Sequence, residues 1–451
     1  MAKRATQFVK VGLLLMMQIS PPVHASEAAL LKLLEVLHAD GTLSDEKYMA
    51  IVKLIKPAQE TESSSPQTRS KLPEQPGGDA IMISRGKLEM SPSERDSKVR
   101  IGGRIMADGA IYDDDTEPLG SGVEMRRARL FMQGTLWQVW NYKLQYDFTG
   151  SGKAGINDAY LQYIGLPAGQ ITLGHFKEPF SLQNMTSSKY VSFIERGLPH
   201  LFTPGRSLGI AYGLSGKHWR AKAGIFAQGI DTPGDELDQS YAITGRMTYA
   251  PVYEKDWQVL HLGLSLSYRQ LDENRTLRFR ERPESHITNL RLVDTGDIDA
   301  DSLYRYNVEL FWSHGPFAIQ GEYTRAAVDR AIANQPDPVF AGYYVEGSWF
   351  LTGESLHYKP AKGTLGKITP KRILGRDGWG AWQIALRFSS LDLTDQDVLG
   401  GREQNLTLGL NWYTHPNLRF MANYIKVLDV EGGPHAGDEP AAVALRAQIE
   451  F

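Results

Sequence analysis

Val443-Ala444-Leu445-Arg446-Ala447-Gln448-Ile449-Glu450-Phe451 ends the chain in strict alternation, with Leu445, Ala447, Ile449 and Phe451 facing one way and Arg446, Gln448 and Glu450 the other. Successive side chains of a strand point to opposite faces, so this strand is apolar on one side and polar on the other. Closing on a terminal aromatic, it needs lipid against one face and water against the other, a geometry met in a closed transmembrane barrel. The expected fold class is all-β, a transmembrane β-barrel.

The 451-residue chain has a mean hydropathy of −0.33, which would ordinarily mark a soluble protein. Barrels escape that average because their membrane strands alternate apolar with polar residues. The net charge of −3 argues neither for nor against a nucleic-acid partner, and none is expected of a barrel. With no cysteine, the chain has no disulfide staple, thiolate metal site or cysteine nucleophile. No metal or cofactor is expected.

Residues 1–25 read as a secretory signal: Lys3, Arg4 and Lys10 precede the apolar run Val11–Ile19, and Val23-His24-Ala25 offers small residues before Ser26. No other segment approaches the roughly 18 apolar residues of a membrane helix. Residues 26–56 read as a periplasmic helical hairpin, with Leu30, Leu33, Leu34 and Leu37 at helical spacing, a break at Asp40-Gly41, and a second helix from Ser44 to Pro57. The Pro-, Ser- and Glu-rich stretch 57–97 reads as a flexible linker.

From 98 to 451 alternating segments of about ten residues recur between turn signals. The pattern predicts strands near 99–111, 124–137, 141–149, 156–164, 169–176, 207–215, 218–228, 240–250, 258–270, 304–314, 316–327, 341–352, 378–390, 404–414, 417–428 and 441–451, sixteen in all. An even count puts both ends of the barrel on the periplasmic side, and roughly sixteen strands enclose an aqueous lumen. The tight turns 215–218, 313–316 and 414–417 then lie at the periplasmic end, and the longer connections 177–206, 229–239, 271–303, 328–340, 391–403 and 429–440 are extracellular. The long connection 353–377 falls on the periplasmic side. Either a strand is hidden there or the turn folds back into the pore, and the second is favoured. Aromatics such as Trp140, Tyr249, Trp312, Trp349, Trp382 and Trp412 at strand ends fit two interfacial girdles.

Fixing the lipid face fixes the lumen face by alternation. Arg127, Arg129, Lys143, Arg220, Lys222, Arg246, Arg387, Arg419 and Arg446 point inward, against fewer acids such as Asp147, Glu309, Glu322 and Glu346. The same alternation points Arg126 outward. A positive, low-dielectric wall attracts anions, and guanidinium groups bind phosphate or carboxylate through two hydrogen bonds. Connection 177–206 is the candidate constriction loop: it brings Lys177, Lys189, Arg196 and Arg206 beside the hydroxyls of Thr186-Ser187-Ser188. Ammonium and hydroxyl donors at a narrow point replace water around an oxyanion without holding it too tightly to leave. The odd turn is basic as well, with Lys359, Lys362, Lys367, Lys371, Arg372 and Arg376.

At these residues the chain resembles the phosphate-selective porins O and P over most of 98–451. The resemblance is carried by Met125-Arg126-Arg127-Ala128-Arg129-Leu130, by Gly174-His175-Phe176-Lys177-Glu178-Pro179-Phe180 with Thr186–Tyr190 and Glu195-Arg196, and by Trp349–Ser355 with Gly378-Trp379-Gly380-Ala381-Trp382. It implies a sixteen-stranded homotrimeric channel in the outer membrane of a Gram-negative bacterium, with a constriction loop and a re-entrant periplasmic turn, that passes inorganic phosphate, polyphosphate or related anions. In the family two adjacent arginines and a loop lysine form the central anion site; Arg126-Arg127 match the pair, Lys189 the lysine, with Lys177 second. Arg126 joins the site only if a bulge or strand end turns it inward. The expected anion-binding residues are thus Arg127, Arg126, Lys189, Lys177, Arg129, Arg220, Lys222 and Arg246.

A general, non-selective diffusion porin is the alternative, because wall charge alone gives weak preference. An enzyme is not expected: His175, His261, His314 and His415 fall on different strands or turns, grouped with no nucleophile motif.

Overall fold

The computed structural model describes residues 97–149, 155–230, 240–255, 257–272 and 276–451, the backbone of Ala80–Ser84 and Lys87–Ser91, and Asp45. The chain divides into two compact units, Met1–Glu74 and Gln75–Phe451, and the account below concerns the second. The expected signal peptide 1–25 and, apart from Asp45, the expected helical hairpin 26–56 lie outside the described residues.

Sixteen long antiparallel strands make up the second unit: β1 (Lys98–Asp113), β2 (Gly122–Leu136), β3 (Trp140–Asp147), β4 (Ile156–Tyr163), β5 (Gln170–Lys177), β6 (Arg206–Ser215), β7 (Trp219–Phe226), β8 (Tyr241–Glu254), β9 (Gln258–Gln270), β10 (Ile298–His314), β11 (Phe317–Arg330), β12 (Val339–Phe350), β13 (Ala381–Asp395), β14 (Val398–His415), β15 (Leu418–Glu431) and β16 (Ala441–Glu450). Each pairs with the next in sequence, and β16 returns to β1 in register from Ala441 opposite Asp113 to Glu450 opposite Arg104. The terminal Phe451 completes the seam: its N–H donates to Gly103 O at 3.1 Å and its own carbonyl accepts from Gly103 N at 2.9 Å. Glycine is required there, since a Cβ on Gly103 would stand 2.6 Å from the Phe451 ring. Closure leaves no strand edge, which is the condition for crossing lipid with strands.

Along β16, Val443, Leu445 and Ile449 are exposed to the outside while Arg446, Gln448 and Glu450 are buried inside. At the end carrying the tight turns, the stacked pairs Trp382–Trp412 (5.1 Å between centroids) and Phe317–Trp349 (5.5 Å) form part of one aromatic girdle. Tyr241, Tyr268 and Tyr304 mark the other, with Tyr268 and Tyr304 4.8 Å apart.

Three boundaries differ from the sequence reading. The region 391–403 is not a long loop: β13 and β14 run on as a hairpin, turned by Gln396 and Asp397, with Gln396 at a left-handed φ of 56°. Likewise β10 starts at Ile298 rather than 304. Asp and Gly in these stretches imitate turn signals, but Ile298, Leu303, Leu391, Leu393 and Val398 join a buried cluster with Phe202, Phe279 and Phe340 inside the barrel. Apolar packing on the inner face thus decides the strand length. The stretch 57–97 also departs from a plain linker, because Ala80–Ser84 and Lys87–Ser91 pair as a hairpin that adds to β1 (Leu88 opposite Ile101, Met90 opposite Val99). The linker composition hid two five-residue runs, AIMIS and KLEMS, that find backbone partners on β1.

Connection 351–380 holds two residue pairs of strand, Tyr358–Lys359 and Thr364–Leu365, and folds back into the barrel. Arg246 of β8 donates to Gly363 O at 2.8 Å, Arg220 of β7 to Ala361 O at 2.9 Å, and Tyr358 OH lies 2.6 Å from His261 Nδ1.

Candidate functional site

The connection after β5, residues 178–205, lies against the inner wall rather than over the mouth. Its backbone is held by inward side chains from successive strands. Glu322 of β11 accepts from Leu182 N (3.1 Å) and Gln183 N (2.7 Å), the first residues of the short helix α1 (Leu182–Met185). Asn411 of β14 donates to Ser192 O at 2.9 Å, Arg419 of β15 to Val191 O at 2.8 Å, and Arg446 of β16 to Ile194 O at 2.7 Å. Arg387 of β13 donates to Glu195 O at 3.1 Å and lies over the Phe193 ring, 4.3 Å from its centroid. A loop that crosses the lumen has many backbone groups to satisfy, and the polar inner face supplies them.

Opposite this packed side, the loop, the turn residues Ala361, Lys362 and Thr364, and the wall of β1–β7 enclose a cavity of about 910 Å³. Its lining carries twelve cations (Arg100, Arg104, Arg127, Arg129, Lys143, Lys177, Lys189, Arg196, Arg206, Arg220, Lys222 and Lys362) against one acid, Asp158. Five of the twelve have carboxylate partners. Arg129 meets Asp147 at 2.5 Å, Arg206 meets Asp158 at 2.8 Å, Lys143 also pairs with Asp158, Lys189 meets Glu450 at 2.5 Å, and Arg127 stands 3.8 Å from Glu195. The other seven have no acidic partner among the described residues. Arg104 donates to Ser187 Oγ at 3.1 Å, Arg196 donates to Gln183 O at 2.8 Å and Thr186 O at 3.0 Å, and Lys177 donates to Asn184 O. Lys222 lies 4.4 Å over Phe176 and Arg100 5.4 Å over Phe131. Where a cation has only neutral partners, no carboxylate cancels its field at contact distance, and a mobile anion can take that place.

Of the residues expected from sequence, Arg127, Arg129, Lys177, Lys189, Arg220 and Lys222 line this cavity. Arg246 does not. It is buried between Glu309 (2.7 Å) and the Gly363 carbonyl, where it fastens the re-entrant turn. Arg126 corrects the alternation: Met106 pairs with Arg127 and Ala107 with Met125, so Arg126 is the extra residue of a bulge and turns inward. There it grips Glu195 with two hydrogen bonds, at 2.7 and 3.1 Å, outside the cavity lining. Arg446 donates to the same carboxylate at 3.1 Å, so Glu195 gathers Arg126, Arg127 and Arg446 around one charge. Sequence reasoning missed Arg100 and Arg104, although the alternation of β1 (Arg100, Gly102, Arg104, Met106) places them inward by the rule that found Arg127.

At the end away from the tight turns, residues 276–297 reach inward as well. Glu284 accepts from Arg387 (2.5 Å), Ser389 (2.5 Å) and Thr407 (2.7 Å), while Ser285 and His286 meet Tyr112 (2.5 Å) and Glu124 (2.9 Å) on β1 and β2. Burial pushes the carboxyl of neighbouring Glu281 up to about 7, despite the Arg282 N–H that donates to it. A carboxyl raised in this way is neutral below pH 7 and adds a negative charge at the mouth above it. Anion selectivity in KCl is therefore expected to fall as pH rises from 6 to 8, and Glu281→Gln to flatten that dependence in reversal-potential measurements.

A closed sixteen-stranded barrel with apolar outer and charged inner faces has the architecture of an outer-membrane channel. The chain belongs to the phosphate-selective porin O and P family, whose model matches residues 99–451. It is 26% identical to Porin O of Pseudomonas aeruginosa over 424 residues, 83% of this chain and 93% of that protein. It is 30% identical to an uncharacterized protein of Caulobacter vibrioides over 364 residues, 77% of this chain and 71% of that one. Among solved structures, a loop L8 deletion mutant of the outer membrane protein OmpT of Vibrio cholerae matches with a TM-score of 0.53 at 12% identity, covering 79% of this chain and 100% of that one. That likeness is one of fold. The protein resides in the outer membrane of a Gram-negative bacterium.

Proposed function

We propose that the protein is one subunit of a homotrimeric porin that conducts inorganic phosphate, polyphosphate and related oxyanions passively, through a lumen narrowed by loop 177–206. One observation carries the reading: twelve cations against one acid around a single cavity, seven of them without acidic partners among the described residues. Arg104, Arg127, Arg129, Lys177, Lys189, Arg196, Arg220 and Lys222 serve as successive ligands, each replacing part of the anion's hydration shell. Several weak sites in series let an anion enter and still leave, which one tight site does not. The hydroxyls of Ser187 and Ser188 beside Arg104 and Lys189 add donors suited to a tetrahedral oxyanion. Trimer formation is supported by family membership and by the largely apolar outer wall, part of which a trimer would cover.

A general diffusion porin is favoured by one observation, the five lining cations already matched by acids. Planar-bilayer recording separates the two. A reversal potential in a KCl gradient near the chloride limit, with chloride current blocked by inorganic phosphate, is expected of the selective channel. Weak selectivity without block would leave the general porin.

A further inference from the structure

Lys189, the loop lysine singled out for anion binding, is already occupied. Its Nζ lies 2.5 Å from Glu450 Oε2, and the other oxygen of the same carboxylate is held by Lys367 of the re-entrant turn at 2.6 Å. The Tyr190 hydroxyl donates to Glu450 Oε2 at 3.4 Å. Glu450 is the last residue of β16, so the barrel wall, the loop and the turn meet at one carboxylate. Lys189 and Tyr190 line two spaces at once: the basic cavity, and a small pocket towards the periplasmic end bounded by Lys367, Asn417 and Glu450. The Ser188 hydroxyl, on the lining of the basic cavity, is buried and has no hydrogen-bond partner among the described residues.

We propose that Glu450 is a positioning residue of the anion path, which competes with a passing oxyanion for Lys189 and so sets how fast a bound anion is released. The proposal rests on the phosphate-channel reading above. Its physical basis is the shared carboxylate. Leaving a buried carboxylate unpaired is strongly unfavourable. Because Lys367 holds one oxygen of Glu450 independently, Lys189 can swing on its four-carbon stem into the cavity without leaving that charge alone. The arriving anion gains an ammonium contact; when Glu450 reclaims the lysine, the contact is lost and the anion moves on. Without the competitor, Lys189 would stay with the anion, and affinity would rise at the expense of throughput. Lys367 has the opposite effect: without it, Lys189 would be the carboxylate's only ionic partner and would be held back from the cavity.

Block of chloride current by inorganic phosphate tests this in refolded trimers, whose mobility on gels before and after heating reports assembly. Wild type is measured first, and absence of block there would overturn the phosphate-channel reading itself and this inference with it. Given block, Glu450→Gln is expected to tighten it about tenfold, the scale of one charge-assisted hydrogen bond, with longer blocked dwell times. Lys367→Met is expected to weaken block several-fold, and Glu450→Gln combined with Lys189→Met to match Lys189→Met alone. Opposite signs are the decisive feature, since a merely structural role would move both single variants the same way. Should Glu450→Gln fail to assemble, the Lys367→Met arm still decides. Unchanged or tighter block in Lys367→Met, or unchanged or weaker block in Glu450→Gln, would overturn the proposal while leaving the channel reading in place.

Discussion

Glu322→Ala is expected to open the channel, raising single-channel conductance well above wild type and abolishing phosphate block. Glu322 is buried, and its carboxylate accepts from Leu182 N, Gln183 N, Asn307 Nδ2 (3.1 Å) and Tyr344 OH (2.7 Å). The two backbone donors begin helix α1, so the carboxylate both caps that turn and pins the first half of the loop to β11. Ser181 Oγ accepts from Asn184 N at 3.1 Å, and Ser265 of β9 takes the Ser181 N–H at 3.2 Å, but these are neutral bonds. Removing a buried acceptor that serves four donors leaves those donors unsatisfied, at about 1–3 kcal/mol for each that finds no new partner. Most of that falls on the loop, because the barrel ladder around β11 is intact without it. The loop's second half stays tied through Arg419, Asn411 and Arg446, so it swings rather than detaches. Larger, less anion-selective conductance in folded trimers is the expected record. Unchanged conductance with unchanged block would mean that the loop holds its place without Glu322.

This anchoring also shows what the sequence reveals and what it does not. Strand positions follow from period two, because lipid outside and water inside impose the same alternation on every strand; Leu445 and Arg446 state it as plainly as any contact does. That logic holds for Arg127 and Arg129, and applied to β1 it also finds Arg104. It fails at Arg126, where one inserted residue reverses the face, and bulges leave no mark in composition. It fails again at 391–403, since the inner face there is apolar and packs against Phe202 and Phe279 rather than water. Pairing is the least accessible level. That Lys189 meets Glu450, or that Arg246 is consumed by Glu309, depends on residues 261 and 63 positions apart in sequence meeting inside a closed barrel.

The contrast between Arg104 and Arg246 turns that difference into a measurement. Both are inward arginines, and alternation alone ranks them equally as anion ligands. Arg104 lines the basic cavity, donates to Ser187 Oγ, leaves its Nε without a partner, and forms no ion pair among the described residues. Its alanine variant is expected to lose one charge-assisted contact to phosphate, about 1.5–3 kcal/mol, or roughly a 10- to 100-fold weaker block. The strand itself should be little affected, because no buried acid is left behind. Arg246→Ala should do the reverse. Glu309, fully buried and otherwise facing only His261 at 3.3 Å, would lose its cation, a loss on the order of 3–5 kcal/mol, and the turn would lose its hold at Gly363. Lower thermal stability of the trimer, with phosphate block in the surviving channels close to wild type, is the expected pattern. If Arg246→Ala weakened block as much as Arg104→Ala, the anion path would have to run along β8 and the re-entrant turn instead of the β1–β7 wall.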